Sequence, residues 1–247
     1  MIEFTIEIAD FRFRIQTFYE YAKNKCVDYI TNETPDYYIK MNSERIHFER
    51  SKAQNLIDSG KLTGIWASDE HFEFLAIYRC ICEILIDHNT IAFHGTAVSV
   101  DGKAYLIAAS SGVGKSTHAR LWKQLFGTRA QIINDDKPLL KITNEGVWVY
   151  GSPWSGKDDL NTNVYVPLSA MGFLKRAVSN EVKPMNEGEA FTCMVHQIYH
   201  SEYFTGTKKI LQLVLDLCRQ VSCYEIYANM NPGAAALAYN TMKHNMR

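Results

Sequence analysis

The chain has 247 residues, of which 47% are hydrophobic and 21% charged, and its formal net charge is −1. This is the composition of a globular protein that buries a real core, not of a low-complexity chain. A near-neutral charge with no long basic tract argues against a general nucleic-acid surface. No apolar run is long enough to span a bilayer, so neither nucleic acid nor membrane is an expected partner.

In chain order, residues 2–15 (IEFTIEI, a polar Ala-Asp turn, then FRFRI) alternate like a hairpin. Residues 36–50 (DYYIKMNSERIHFER) alternate again around Asn-Ser-Glu and predict a second hairpin. Residues 69–88 (DEHFEFLAIYRCICEILIDH) carry apolar residues at helical spacing, with Ser68 or Asp69 as the N-cap. IAFHGTAVSV and KAYLIAA are strand-like and joined by Asp101-Gly102, a hairpin signal. STHARLWKQLF reads as an amphipathic helix. RAQIINDDKPLLKI is an apolar run interrupted by two aspartates. GVWVYG and VYVPLSAMGFLKRA read as strands on either side of the polar loop SPWSGKDDLNTN. The last third reads as helices over 187–201, 205–219 and 232–245, interrupted by the strand SCYEIYANM. Two domains are expected: an N-terminal α+β lobe over residues 1–89 and a core over residues 90–247.

Cys26, Cys80, Cys82, Cys193, Cys218 and Cys223 show no C-x-x-C pair, so free thiols in a reducing cytoplasm are expected. The alternating, acid-bearing N-terminus does not read as a secretory signal.

The chemistry concentrates in AASSGVGKST, residues 108–117. A phosphate cradle needs a strand to deliver the chain, a turn that aims backbone N–H groups inward, and a helix whose free amides and dipole face the anion. AYLIAA, SSGVG and KSTHARLW supply the three in order. Ser110, Ser111, Gly112, Val113, Gly114, Lys115, Ser116 and Thr117 are therefore the candidate nucleotide-binding residues. Lys115 is expected to neutralise the β- and γ-phosphates, and Ser116 to offer its hydroxyl to Mg²⁺. Ala109 replaces the first glycine of the usual pattern, which alanine tolerates if its φ stays negative.

The run Ala-Ser-Ser-Gly-Val-Gly-Lys-Ser resembles the loop of the HPr kinase/phosphorylase family. HGTAVSVDGKAYLIAA resembles that family's His-Gly hairpin before the loop, INDD its Ala-Asp-Asp, and VYGSPW a glycine-containing strand end. The resemblance covers about residues 90–176 with the motifs in order. The downstream Gly-Arg-Asn segment and the Glu-x-Arg-Gly-Leu-Gly signature are not found. The family shares its nucleotide-binding core with phosphoenolpyruvate carboxykinases. The resemblance thus implies an α/β fold, with a mixed sheet of that type, a small β-rich N-terminal lobe and C-terminal helices. It also implies a homo-oligomer.

Two adjacent carboxylates at a strand end point to opposite faces, so one can face a metal and the other an acceptor. Phosphoryl transfer needs a Mg²⁺ holder and a group that orients or deprotonates the attacking hydroxyl. By resemblance, Asp135 takes the acceptor and Asp136 the metal, and His94 orients Asp135. Lys157 in SPWSGKDD can bring a second positive charge to the transferring group. Trp154 reads equally as core or as pocket wall. Lys175 and Arg176 read as strand-end solvation, or as phosphate or substrate binders. His196 and His200 stand four apart on an expected helix but lack a metal-site glutamate. The expected activity is an ATP- and Mg²⁺-dependent kinase acting on a serine-like hydroxyl of a small molecule, peptide or protein. A nucleotide-sensing, partner-binding protein and a carboxykinase-like enzyme are the rivals.

Overall fold

The structure, a computed structural model, describes residues 1–60, 67–110 and 112–244. The chain forms two units, Met1–Ile84 and Leu85–Arg247. Among the described residues no helix is long and apolar enough to cross a membrane.

The first unit opens with the hairpin β1 (Ile2–Ile8) and β2 (Phe11–Thr17), paired antiparallel from Ile2↔Thr17 to Ile8↔Phe11. Ala9 and Asp10 join them with φ of 52° and 71°, the left-handed pair that a two-residue hairpin turn needs to match strand twist. A short helix α1 (Tyr21–Lys25) leads to β3 (Tyr37–Lys40), which lies parallel to β2. The second hairpin expected over 36–50 does not form. Asn-Ser-Glu instead starts α2 (Ser43–Asp58): the Asn42 side chain accepts the Arg45 N–H at 3.0 Å, and Glu44 stands in the first turn. An N-cap and a hairpin turn draw on the same residues, and here the cap prevails. Helix α3 (Asp69–Asp87) forms where its periodicity places it.

The second unit contains β4 (Thr90–Ala92), β5 (Thr96–Val100), β6 (Lys103–Ala108), α4 (Lys115–Phe126), β7 (Ala130–Asn134), β8 (Leu139–Thr143) and β9 (Gly146–Tyr150). After these come β10 (Tyr165–Arg176), β11 (Glu181–Pro184), α5 (Glu187–Val195), α6 (Phe204–Gln220), β12 (Ser222–Ala228) and α7 (Gly233–His244). The strands build one mixed sheet in the order β4-β8-β9-β10-β6-β5-β7, with β12 on β10 and β11 on β12. Long β10 joins its parts: its first residues pair antiparallel with β9, and its later ones run parallel to both β6 and β12.

Period-two alternation gives this sheet two buried faces. Ala104, Leu106 and Ala108 of β6 pack into one core with Ala190 and Met194 of α5 and Val214 and Leu217 of α6. Tyr105 and Ile107 pack into the other with Ala119 and Trp122 of α4 and Ala235 and Tyr239 of α7. The continuous apolar reading of AYLIA is the signature of a strand covered on both sides.

IAFHGTAVSV, read as one strand, is two. It breaks at 93–95, so that β4 pairs with β8 while β5 pairs with β6 and β7. The Phe93 and Gly95 amides turn aside to the carbonyls of Pro138 and Asp136, each at 3.0 Å. The turn between β5 and β6 is as read, with Asp101 and Gly102 at φ 51° and 76°. Strand β11 was not anticipated; its composition, EVKP, is polar and short.

Candidate active site

Strand β6 ends at Ala108 and delivers the chain to the glycine loop, and α4 begins at Lys115. Gly112 and Gly114 have φ of 76° and 117°, which L-residues with a Cβ rarely adopt. Gly114 caps α4 in the left-handed region, and its carbonyl accepts the His118 N–H at 2.9 Å. The amides of Lys115, Ser116 and Thr117 lie in the helix's first turn, where no intrahelical carbonyl reaches them. Ala109 is not among the positive-φ residues. It is buried, and its carbonyl takes the Lys115 ammonium at 2.9 Å. Alanine is therefore compatible with the bend out of β6. Burial lowers the Lys115 pKa, and the charge of Asp136 works in the opposite direction; the two groups are thus electrostatic neighbours. Ser110 is exposed, and Val113 donates to its carbonyl at 3.3 Å. Ser111 lies outside the described residues.

A guanidinium holds the loop from outside. Arg176, the last residue of β10, donates from Nε to the Val113 carbonyl at 3.1 Å and from Nη2 to the Gly112 carbonyl at 2.5 Å. Arg176 was read from sequence as a solvated strand end or a phosphate binder; its observed partners are loop carbonyls. Its neighbour Lys175 pairs with Glu225 on the surface.

The aspartates lie just past the end of β7, not within it. Asn134, fully buried, makes the turn that separates them. Its side-chain oxygen accepts the Asp136 N–H at 2.8 Å and the Lys137 N–H at 2.6 Å. Its amide group donates to the carbonyls of Ser152 and Trp154 at 2.9 and 3.2 Å. An Asx turn thus sends the two carboxylates to different surroundings, the outcome expected of strand alternation but produced by a side chain.

Asp135 is buried, and one oxygen accepts the Gly156 N–H at 2.6 Å. Burial raises its pKa, the Gly156 bond pulls it back, and Asp136 raises it further. For Asp136, burial opposes the charged form, but the hydrogen bond from His94 and the ammonium of Lys137 outweigh it and hold the carboxyl below the usual range. His94 Nε2 lies 3.4 Å from Asp136 Oδ1. His94 therefore touches Asp136, not Asp135 as the resemblance implied, because the 93–95 corner is hung on the Asp136 carbonyl. Two adjacent carboxyls whose environments push their pKa values apart are suited to different jobs.

The loop carrying Gly156 is pinned at Gly151, whose added Cβ would sit 1.8 Å from the Thr162 carbonyl oxygen. An ion pair between Arg120 of α4 and Asp158 ties it to the helix that starts at the glycine loop. Lys157 is exposed beside Gly156. Trp154 is buried, which favours its reading as core. His196 and His200 do not share a helix, since α5 stops at Val195. Among the described residues no group of three or more His, Cys, Asp or Glu could hold a metal ion alone. Both Asp136 oxygens are engaged here, Oδ1 by His94 and Oδ2 by Lys137.

Asn134, Lys137, Arg120 and His118 were not read as parts of the site. Only Asn134 carried a signal, an asparagine heading an Asn-Asp-Asp turn.

The family model described as SynChlorMet cassette protein ScmC matches residues 67–231. Among solved structures, that of the Hpr(Ser) kinase/phosphatase from Coxiella burnetii is similar over 61% of this chain and 95% of its own, at 12% identity and a TM-score of 0.34. No curated protein matches the chain.

Proposed function

The chain belongs to the SynChlorMet cassette protein ScmC family, and from the site built into that matched region we propose that it is an ATP- and Mg²⁺-dependent kinase. It transfers the terminal phosphoryl group to a hydroxyl, serine-like in character, on a small molecule, peptide or protein. The observation that carries this reading is the divided aspartate pair. Asp135, buried on the Gly156 amide, and Asp136, held by His94 and Lys137, stand side by side in different surroundings, in the same unit as the Lys115 that starts α4.

The residues divide the work as follows. The first-turn amides of α4 and the backbone of residues 112–114 hold the phosphates, and Lys115 leaves the Ala109 carbonyl to neutralise them. Asp136 and Ser116 would hold Mg²⁺, which when bound would neutralise charge on the transferring group. His94 and Lys137 keep Asp136 ionised and oriented. Asp135, with Gly156 fixing one oxygen, orients the acceptor hydroxyl and takes its proton. Its raised pKa makes it a better proton acceptor than an ordinary aspartate. Lys157, exposed at the lip, adds positive charge as the phosphoryl moves. Positioning and charge supply most of the catalysis, because in-line transfer asks little covalent chemistry of the protein.

Isothermal titration with ATP·Mg²⁺ tests the binding half. Wild type is expected to bind, and Lys115→Ala to lose about 10²-fold or more in transfer while keeping its fold. Mass spectrometry after incubation with ATP and a metabolite and peptide extract tests the transfer half. A species heavier by one phosphoryl group with wild type, missing with Lys115→Ala, supports the proposal. Equal phosphorylation by both proteins contradicts it.

A further inference from the structure

A cavity of about 640 Å³ is lined by the end of β8 and by α6 in the second unit. Lys141 and Ile142 come from β8, and Lys209, Leu213 and Arg219 from α6. Its volume is within the range of about 300–1,000 Å³ common for small-molecule sites. It is separate from the site described above. In the sheet, β9 and β10 stand between β8 and β6, the strand that feeds the glycine loop, a spacing of about 14 Å at the usual distance between strands. Strand β8 also leads away from the aspartate turn: Thr143, at the cavity, lies about 14 Å along it from Leu139.

The charge of the lining singles this cavity out. Lys141, Lys209 and Arg219 are gathered there against one carboxylate, Asp216, in a chain whose net charge is −1. Like charges brought together repel, and a cleft lined by one sign concentrates the opposite ion. Asp216 does not cancel the cations. Its Oδ1 accepts Gln212 Nε2 at 3.2 Å and meets Arg219 Nη1 only at 3.5 Å, the outer limit of a hydrogen bond. The Arg219 side chain stays 62% exposed. Lys209 is held at the cavity by the Asp87 carbonyl, which accepts its ammonium at 2.8 Å; the Asp87 carboxylate, 4.0 Å away, is 84% exposed, and solvent screens it. An ammonium carries three N–H donors and a guanidinium five, so both heads can serve a ligand and keep these contacts. Ile142 and Leu213, both buried, add apolar contact for a carbon skeleton.

We infer that this cavity binds a small organic anion with two anionic groups on a short carbon chain, each a carboxylate or a phosphate. Lys209 and Arg219 are separated along α6 by about 15 Å of helix rise. The two heads therefore suit charged groups at separate ends of one ligand better than a single inorganic ion. Lys141 faces the same ligand from β8. The inference stands independently of the kinase reading, because none of these residues belongs to the phosphate loop or the aspartate turn.

Calorimetric titration of the full chain with tricarballylate, 3-phosphoglycerate and inorganic phosphate tests this. At least one of the two organic anions is expected to bind about tenfold or more tighter than inorganic phosphate, the gain from a second charged contact. Whichever binds tells carboxylate from phosphate recognition. Lys115→Ala should leave that affinity unchanged, since the phosphate loop takes no part. The Lys209→Gln/Arg219→Gln double variant should lower it about tenfold or more, and Asp216→Asn, which removes the opposing carboxylate, should raise it. Thermal melts establish that the variants are folded; if the double variant is not, Asp216→Asn carries the test with the opposite sign. Three results overturn the site: no organic anion binding better than inorganic phosphate, binding that Lys115→Ala abolishes, or an affinity that the folded α6 variants leave unchanged.

Discussion

Asn134 shows how much of the site depends on one uncharged side chain. It bonds two amides that follow it and two carbonyls of the 152–154 segment. Asn134→Ala strands these buried groups and is expected to cost about 3 kcal/mol in urea denaturation, since each orphaned group costs about 1–3 kcal/mol. It should also depress transfer, because the two carboxylates lose the turn that parts them. Asp135→Asn makes a sharper cut. If Asp135 is the proton acceptor, transfer falls by about 10²–10⁴-fold while ATP·Mg²⁺ binding persists. A protein that only senses nucleotide would show no loss beyond binding. The pH profile carries the same information. The basic form of Asp135 exists only above a pKa that burial and Asp136 raise. The acid limb of kcat/KM should therefore fall at higher pH than the ordinary aspartate value of about 3.9. A limb at or below that value contradicts the assignment. Sequence marked these aspartates by adjacency and by resemblance. It did not reveal which of them His94 touches, because that follows from a corner in the chain that local pattern does not encode.

Elements were legible where one signal acted alone. The 69–88 periodicity, the Asp101-Gly102 turn and the strand-loop-helix order around Lys115 all appear as read. They were misread where two signals share residues: Asn42 could head a turn or cap a helix, and in the structure it caps α2, which docks on α3. That docking includes Glu49, 6% exposed, paired with Arg79, whose Nη2 reaches Oε2 at 3.1 Å. Breaking a buried pair by removing one partner leaves a charge without compensation. Arg79→Met is accordingly expected to destabilise by about 3–5 kcal/mol, with much of that recovered in the Glu49→Leu/Arg79→Met double variant. Urea denaturation of the four proteins checks this, and purely additive losses would contradict it. Gly151 makes a comparable point in the second unit. Its alanine variant must push a backbone carbonyl aside, so it should destabilise the fold and disturb the Gly156 contact with Asp135. The strength of both effects comes from neighbours distant in sequence; the Glu49–Arg79 pair drew no notice beforehand, and Gly151 did so only as the glycine of VYGSPW.

At the scale of the molecule, the mixed sheet of the second unit gathers the chemistry at one end. Strand β6 feeds the glycine loop, β7 the aspartates, and β10 supplies Arg176. The resemblance read from residues 90–176 falls within the ScmC family match over 67–231, and the site residues it named lie inside that span. The parallel pairing of β10 with both β6 and β12 was not legible. Pairing partners 50 or more residues apart leave no local trace.

The most direct test is a crystal structure of the chain with Mg²⁺ and a non-hydrolysable ATP analogue. The account predicts phosphates against the amides of residues 112–117, Lys115 moved from the Ala109 carbonyl to the β- and γ-oxygens, and Mg²⁺ between Ser116 and Asp136. A nucleotide bound elsewhere, with Lys115 still on Ala109 and both aspartates turned away from it, would contradict it.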